Sequence, residues 1–184
     1  MATRQDRRVR RTRSSLIEAF NYLLLNRRRD RIRVSDIVDR ANVGRSTFYQ
    51  HYSSADDIHM EALSRPFAIL ADAAVGEGDA ERLRYLLEHF WENRQRARAT
   101  FAGRTGEKAV RLLADMVEAR LHARDAQLIL PSRLAALQLA EAALAPIRGW
   151  VGAEAPCTVH VLAAAICRSG ERMAAALAAA PAES

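Results

Sequence analysis

The run "ANVGRSTFYQHYSSADD", residues 41–57, decides how the first third of this chain folds. Just before it, Val34, Ile37, Val38 and Ala41 fall at i, i+3, i+4 and i+7, the spacing of a short amphipathic helix. Asn42-Val43-Gly44 follows with turn chemistry, because Asn and Gly enter the left-handed region at the least cost. A further helix then starts near Arg45, and two short helices joined by a three-residue turn make a helix-turn-helix. At about 100° per residue, Phe48 and Tyr52 share one face, where Val43 and the preceding helix can cover them. Ser46, Thr47, Gln50 and His51 point the other way, with Arg45 and Tyr49 at the border. An ordinary wet face carries Glu, Lys or Ala. Hydroxyls, an amide and an imidazole suit base edges and phosphate oxygens better. For Tyr49 or His51 alone a half-buried structural position is the simpler reading, but the full set on one face favours nucleic acid.

The charge points the same way. The 184 residues carry 28 Lys plus Arg against 22 Asp plus Glu, a net +6. Residues 1–58 hold 13 Arg against 7 acidic residues, whereas residues 59–184 hold 15 of each sign. The whole excess therefore lies in the first third, as expected of a polyanion-binding module joined to a neutral one. An arginine-rich surface that is merely soluble would give the same count, so charge does not decide alone. The two cysteines, Cys157 and Cys167, lack the paired spacing of zinc or redox motifs, which fits a reduced, cytoplasmic chain without cofactor or metal. The apolar run "SSLIEAFNYLLLN" is interrupted by Glu18 and Asn21, with no small-residue cleavage site after it, and reads as helix rather than secretory signal. No run approaches the ~20 apolar residues that span a bilayer, so no membrane partner is expected.

The rest of the pattern is helical throughout. After the basic arm "MATRQDRRVRRTR", Leu16, Phe20, Leu23 and Leu24 mark the first amphipathic helix. Ser54 is placed to cap the helix "ADDIHMEALSRPFAILADAAV", with Asp56 and Asp57 in its first turn and Pro66 expected to kink or interrupt it. Asp79 caps the next, whose stripe is Leu83, Leu86, Leu87, Phe90 and Trp91, and a later helix carries Val110, Leu113, Ala114, Val117 and Leu121. Phe67, Leu70, Leu87, Phe90 and Trp91 could line a ligand cavity with Phe101, Leu113, Met116 and Val117, although burial in an ordinary core is the commoner fate of such stripes. Near the end, Leu137, Ala140, Leu144, Ile147 and Val151 repeat at steps of three and four, with Pro146 among them. Val159, Leu162, Ile166, Met173 and Leu177 do much the same behind Thr158 as cap. Two such alanine-rich helices, doubled by a two-fold axis, would build a four-helix dimer interface; completing the protomer's own core is the other reading. The expected organisation is an all-α chain, with a three-helix helix-turn-helix domain over residues 1–57 and a helical bundle for ligand binding and dimerisation over 58–184.

Over residues 12–62 the chain resembles the TetR/AcrR family of bacterial transcriptional regulators. The resemblance is carried by Ile37-Val38, Ala41-Asn42-Val43 and above all Thr47-Phe48-Tyr49-Gln50-His51-Tyr52. More loosely, "IRGWVGAEAPCTVHVLAAAI" looks like the family's two-helix dimerisation region. The resemblance implies a homodimer on a near-palindromic double-stranded DNA operator, usually a repressor released by a small-molecule effector. By position, Arg45, Ser46, Thr47 and Gln50 would face bases. Tyr49, His51 and the start of helix 1 at Thr12 and Arg13 would hold phosphates, and Arg10, Arg11 and Arg13 of the arm could follow the backbone or enter the minor groove. Three residues depart from the pattern. Ala55 stands where a phosphate-binding Lys is common, Arg33 replaces a capping Thr and could contact a phosphate instead, and Asn42 replaces a turn Gly. Two other functions compete. One is a DNA-binding dimer without small effector, governed by a protein partner. The other is an enzyme, for which His89, His122, His160, Glu88 and Cys157 form no nucleophile, metal or phosphate-loop motif. No catalytic residue is expected.

Overall fold

Helix α1 (Arg4–Asn26) begins well before the apolar stripe that defines it. The stretch expected as an arm is helical from Arg4 onward. Arginine and glutamine are good helix formers, no Gly or Pro interrupts them, and Asp6 lies in the first turn where a negative charge complements the helix dipole. The expectation of an extended arm is therefore corrected: the described part of this stretch is the start of α1. The computed structural model describes residues 4–26 and 32–179, with side chains from Asp6 to Leu24 in α1; the basic run at 27–31 lies outside them.

Contacts divide the chain into two compact units, 1–63 and 64–184, with the division inside α4 (Ala55–Ala74). In the first, α1, α2 (Val34–Ala41), α3 (Arg45–Tyr49) and the start of α4 surround one core. Leu16, Ala19, Phe20 and Leu23 of α1 meet Ile37 and Val38 of α2, Phe48 of α3, Tyr52, and Ile58 of α4. Ser54 caps α4 as expected: its Oγ accepts the Asp57 amide at 3.3 Å, while the Asp57 carboxylate accepts the Ser53 amide at 3.0 Å.

The second unit holds the rest of α4 with α5 (Ala80–Glu92), α6 (Arg94–Thr100), α7 (Gly103–Ala123), α8 (Ser132–Gly152) and α9 (Val159–Leu177). Asp79 and Thr158 cap α5 and α9, accepting amides at 2.9 Å (Glu81) and 3.3 Å (Val161). Pro66 does not interrupt α4, which runs through it, and α8 likewise runs through Pro146. Each proline removes one intrahelical donor, a loss that surrounding packing absorbs. Arg120 of α7 supports α4 beyond Pro66. Its guanidinium donates to Asp72 at 2.6 Å and to the Ala68 carbonyl at 3.1 Å, and Arg124 donates to the Val75 carbonyl at 3.0 Å, just past the helix end.

The seams read as a dimer interface need correction. Ala140, Leu144, Ile147, Val151, Leu162, Ile166 and Leu177 are buried within the protomer, while Leu137, Val159 and Met173 are half-buried. A heptad-like repeat finds the apolar face of a helix without saying what covers it, and here the chain's own bundle does. The outer faces expose Leu134 and Val161, both at 53%.

Two backbone positions carry strong constraints. A Cβ on Gly170 would sit 1.9 Å from the Ala73 carbonyl oxygen, so α9 meets the end of α4 only because that residue has no side chain. Ala153 ends α8 at φ 61°, ψ 32°, a left-handed conformation that costs an alanine about 1 kcal/mol. Thermal unfolding should show Gly170→Ala destabilised by about 1–3 kcal/mol through overpacking. Ala153→Gly should instead raise the midpoint, by up to about 1 kcal/mol of stability.

Candidate nucleic-acid interface

The turn between α2 and α3 is built on Asn42, at φ 53° and ψ 49°. Its amide donates to the Asp39 carbonyl at 3.3 Å, and the Val43 amide donates to the Val38 carbonyl at 3.1 Å. This is the paired closure of a Schellman end, with Val43 and Val38 supplying the apolar contact. Gly44, expected to share the left-handed role, is extended at φ −72° and ψ 152°, so the backbone does not require glycine there. Arg33 occupies the N-cap of α2, and its amide donates to the Asp36 carboxylate at 3.0 Å. A guanidinium only donates, so it cannot cap amides as a threonine hydroxyl would. It remains exposed.

Helix α3 is shorter than its pattern predicts. It stops at Tyr49, with Gln50 and His51 in a turn rather than continuing to Tyr52. The Phe48 carbonyl accepts both the His51 and Tyr52 amides at 2.9 Å, which tightens the last turn. Asp57 claims the Ser53 amide for the start of α4, so the chain must leave α3 in time. The two faces nonetheless separate as expected. Phe48 is fully buried and Tyr52 6% exposed, with their rings 5.6 Å apart. Arg45, Ser46, Tyr49 and Gln50 are exposed, Tyr49 at 58%, and Thr47 and His51 are half-buried beside them.

Helix 1 behaves differently. The Thr12 hydroxyl donates back to the Arg8 carbonyl at 3.1 Å and is half-buried. Arg13, expected on a phosphate, is engaged inside the unit instead. Its Nη2 lies 2.5 Å from Glu61 Oε2, and its guanidinium carbon is 5.8 Å from the Tyr52 ring centre. The hydrogen bond to Glu61 raises the arginine pKa further. Tyr52 Oη is buried beside Arg13 and Glu61 without a partner in good hydrogen-bond geometry among the described residues, and burial pushes its pKa up to about 12. Burial also lowers the pKa of His59, whose ring lies 5.2 Å from Phe20. The sequence reading missed Arg7 and Arg8, which join Arg10 and Arg11 as exposed cations on α1. The i, i+4 spacing of Arg7 and Arg11 was the available signal, once the segment is taken as helix. It missed Arg40 as well, which lies 3.7 Å over the Tyr22 ring and joins α2 to α1.

In the second unit, Phe67, Leu70, Leu87, Phe90, Phe101, Leu113 and Val117 are buried and Met116 is half-buried. Phe101 stacks on Phe67 at 6.4 Å and meets Phe90 edge-on at 5.6 Å. Trp91 does not join them. It is 40% exposed and stacks on Trp150 at 4.7 Å, and the Trp150 indole donates to the Cys157 carbonyl at 3.0 Å. A small cavity lies elsewhere, between Ala74, Leu139, Ala143, Ile166 and Met173. His122 sits 3.1 Å from the Ser132 hydroxyl, but that hydroxyl donates to Glu118 at 3.0 Å, so this is no nucleophile–base pair. Cys157 and Cys167 are both free thiols, and burial raises the pKa of Cys167.

No family model matches the chain. Over 68 residues, 36% of its length, it is 37% identical to an HTH-type transcriptional regulator, YxbF of Bacillus subtilis (strain 168). The match takes in only 18% of that relative's length. Among solved structures it is similar to a TetR transcriptional regulator from Streptococcus agalactiae 2603V, at 26% identity and TM-score 0.50, over 91% of this chain and 98% of that one. It shares its fold with Thermus thermophilus FadR, a TetR-family repressor solved with lauroyl-CoA, at 17% identity and TM-score 0.54, over 94% and 99% of the two chains. A TetR-family regulator from Syntrophomonas wolfei is similar at 16% identity and TM-score 0.54, over 90% and 96%.

The left-handed turn is the most exposed weakness of this site. Asn42→Gly should keep or slightly raise stability in chemical denaturation, whereas Asn42→Val should lose about 1–2 kcal/mol because a β-branched residue resists φ near 53°.

Proposed function

We propose that the chain is a transcriptional regulator of the TetR/AcrR type that acts as a cytoplasmic homodimer on a near-palindromic operator, repressing until a small apolar ligand releases it, a reading supported by its similarity to the Streptococcus agalactiae regulator. One observation carries the DNA reading. The exposed set Arg45, Ser46 and Tyr49 stands on a helix whose back is buried, with exposed Gln50 in the turn directly after it, within the part of the chain that holds all the net positive charge. In a major groove the Arg45 guanidinium suits guanine and the Gln50 amide suits adenine. Ser46 and Thr47 add hydroxyls, while Tyr49, His51, Arg33 and the exposed arginines of α1 serve as phosphate partners.

A second copy would place its α3 one helical turn of DNA away, about 34–36 Å between centres. The surface best suited to that pairing is the outer face of α8 and α9, where Leu134 and Val161 stand exposed among small residues such as Ala145, Ala175 and Ala176. Relief by a ligand is supported by the buried aromatic cluster of Phe67, Phe90 and Phe101. A dimer without effector is the alternative, and thermal-shift screening with apolar compounds separates the two, since a ligand bound only by the folded state raises its melting point.

With duplexes selected from a random-sequence pool, a mobility-shift assay should find Tyr49→Ala weakened on every sequence. Gln50→Ala should lose preference at particular base pairs, by about 1–3 kcal/mol each. If neither change alters binding, this helix is not the reader. Val161→Glu should convert a dimer to monomers in sedimentation velocity without reducing helix content, and an unchanged sedimentation coefficient would remove that face from the interface.

A further inference from the structure

Arg13 sits where a phosphate contact is expected, yet the geometry gives it another task. Three elements of the first unit converge on one ring. Tyr52 leaves the end of α3, Arg13 comes from α1, and Glu61 comes from α4. The Tyr52 ring packs 5.6 Å from Phe48 on one side, and the Arg13 guanidinium carbon lies 5.8 Å from its centre. Glu61 Oε2 holds that guanidinium at 2.5 Å, with side chains 46% and 27% exposed. Gln50 and His51 lie in the turn immediately before Tyr52, where the Gln50 amide donates to the Ser46 carbonyl at 3.1 Å and the His51 and Tyr52 amides share the Phe48 carbonyl. No helical turn follows them, so beyond those bonds their side chains take their direction from where Tyr52 is fixed.

We propose that Arg13 and Glu61 form a positioning pair that fixes Tyr52, and through it the Gln50–His51 turn, and that Arg13 contributes no phosphate contact. The proposal rests on the DNA-binding reading for its meaning, though not for all of its test. An ion pair at this exposure adds about 0–1 kcal/mol to stability, so its effect lies in geometry rather than in holding the fold. Arg13 is already paired with Glu61, so on this reading it neutralises no phosphate and displaces no counterion from the DNA. The exposed arginines Arg7, Arg8, Arg10 and Arg11 carry the salt-dependent attraction instead.

Two explanations for an important Arg13 predict opposite signs at Glu61. If Arg13 held a phosphate, removing the nearby carboxylate would free it and strengthen binding. If the pair positions Tyr52, removing the carboxylate weakens binding although a negative charge has gone. The experiment measures affinity of the full chain for a mixed-sequence duplex and a pool-selected duplex across a salt series, for wild type, Arg13→Ala, Glu61→Ala and the charge swap Arg13→Glu/Glu61→Arg. Circular dichroism sets a temperature at which all retain helix content. Hydrogen exchange is read at the Gln50, His51 and Tyr52 amides.

We expect both single variants to bind the selected duplex roughly three- to thirty-fold more weakly, a range typical of positioning residues. The salt slope should stay unchanged, exchange at those three amides should be faster, and the swap should restore both affinity and protection. A slope reduced by about 0.9 in Arg13→Ala, or stronger binding by Glu61→Ala, would overturn the proposal. So would unchanged exchange at the three amides. If the wild type binds no duplex, the DNA reading fails instead, and the exchange data still decide whether the pair fixes the turn. Should Arg13→Ala lose its helices, the swap variant decides alone, because a reversed pair can position Tyr52 whereas a glutamate at 13 cannot hold a phosphate.

Discussion

A helix of five residues has no stability of its own. Nucleating a turn fixes several dihedrals for a single hydrogen bond, and isolated helices shorter than about 12 residues are marginal even in favourable sequences. α3 exists because Phe48 is driven into the cavity between α1 and α2 and is wholly buried there. Burying such a side chain contributes about 1.5–3 kcal/mol. That one anchor must do the orienting as well as the stabilising. The exposed face of α3 is defined only as the side opposite Phe48 and Tyr52, so every polar group on it takes its direction from those two rings.

The rest of the first unit reads as provision for this burial. Leu16 and Phe20 form the floor of the site, and Ile37 and Val38 form one wall. Asn42 makes the sharp reversal that brings Phe48 back onto them, and closing the end of α2 on the Val38 carbonyl fixes the entry angle of α3. Asp57 then takes the Ser53 amide and commits the chain to α4. The exposed face is thus short because the scaffold on both sides of it is tightly determined. A longer helix would carry more polar side chains, but the last of them would stand further from the anchor that aims them.

Much of this was legible because it depends on local chemistry. Hydrophobic spacing placed Phe48 and Tyr52 inward, Asn42 announced a left-handed residue, and Ser54, Asp79 and Thr158 were caps by type and position. What the sequence hid were facts about partners. The seams of α8 and α9 showed an apolar face truly, but whether a neighbour in the same chain or in another copy covers it is a question of topology. Trp91 continued the stripe of α5 on paper, yet it pairs with Trp150, 59 positions away in the numbering and invisible to any local window. Gly170 offered only a small residue, and its close approach to Ala73 is a property of two helices together.

The arginines make the same point about charge. Counting gave the sign and the place of the excess, and it treated every guanidinium in the first third as equivalent. The structure does not. Arg40 lies on the Tyr22 ring, Arg13 is held by Glu61, and Arg33 stands exposed at a helix start that it cannot cap. Of Arg7, Arg8, Arg10 and Arg11, all exposed on α1, the first two were overlooked because the segment was taken for an arm, where spacing along the chain has no angular meaning. In a helix it has one: Arg7 and Arg11 lie one above the other, and Arg8 beside them. A rigid row of cations presents its charge at fixed intervals, as an extended arm does not. For a partner whose phosphates also repeat at fixed intervals, such a row can find registers that fit better than others, even though no base is read.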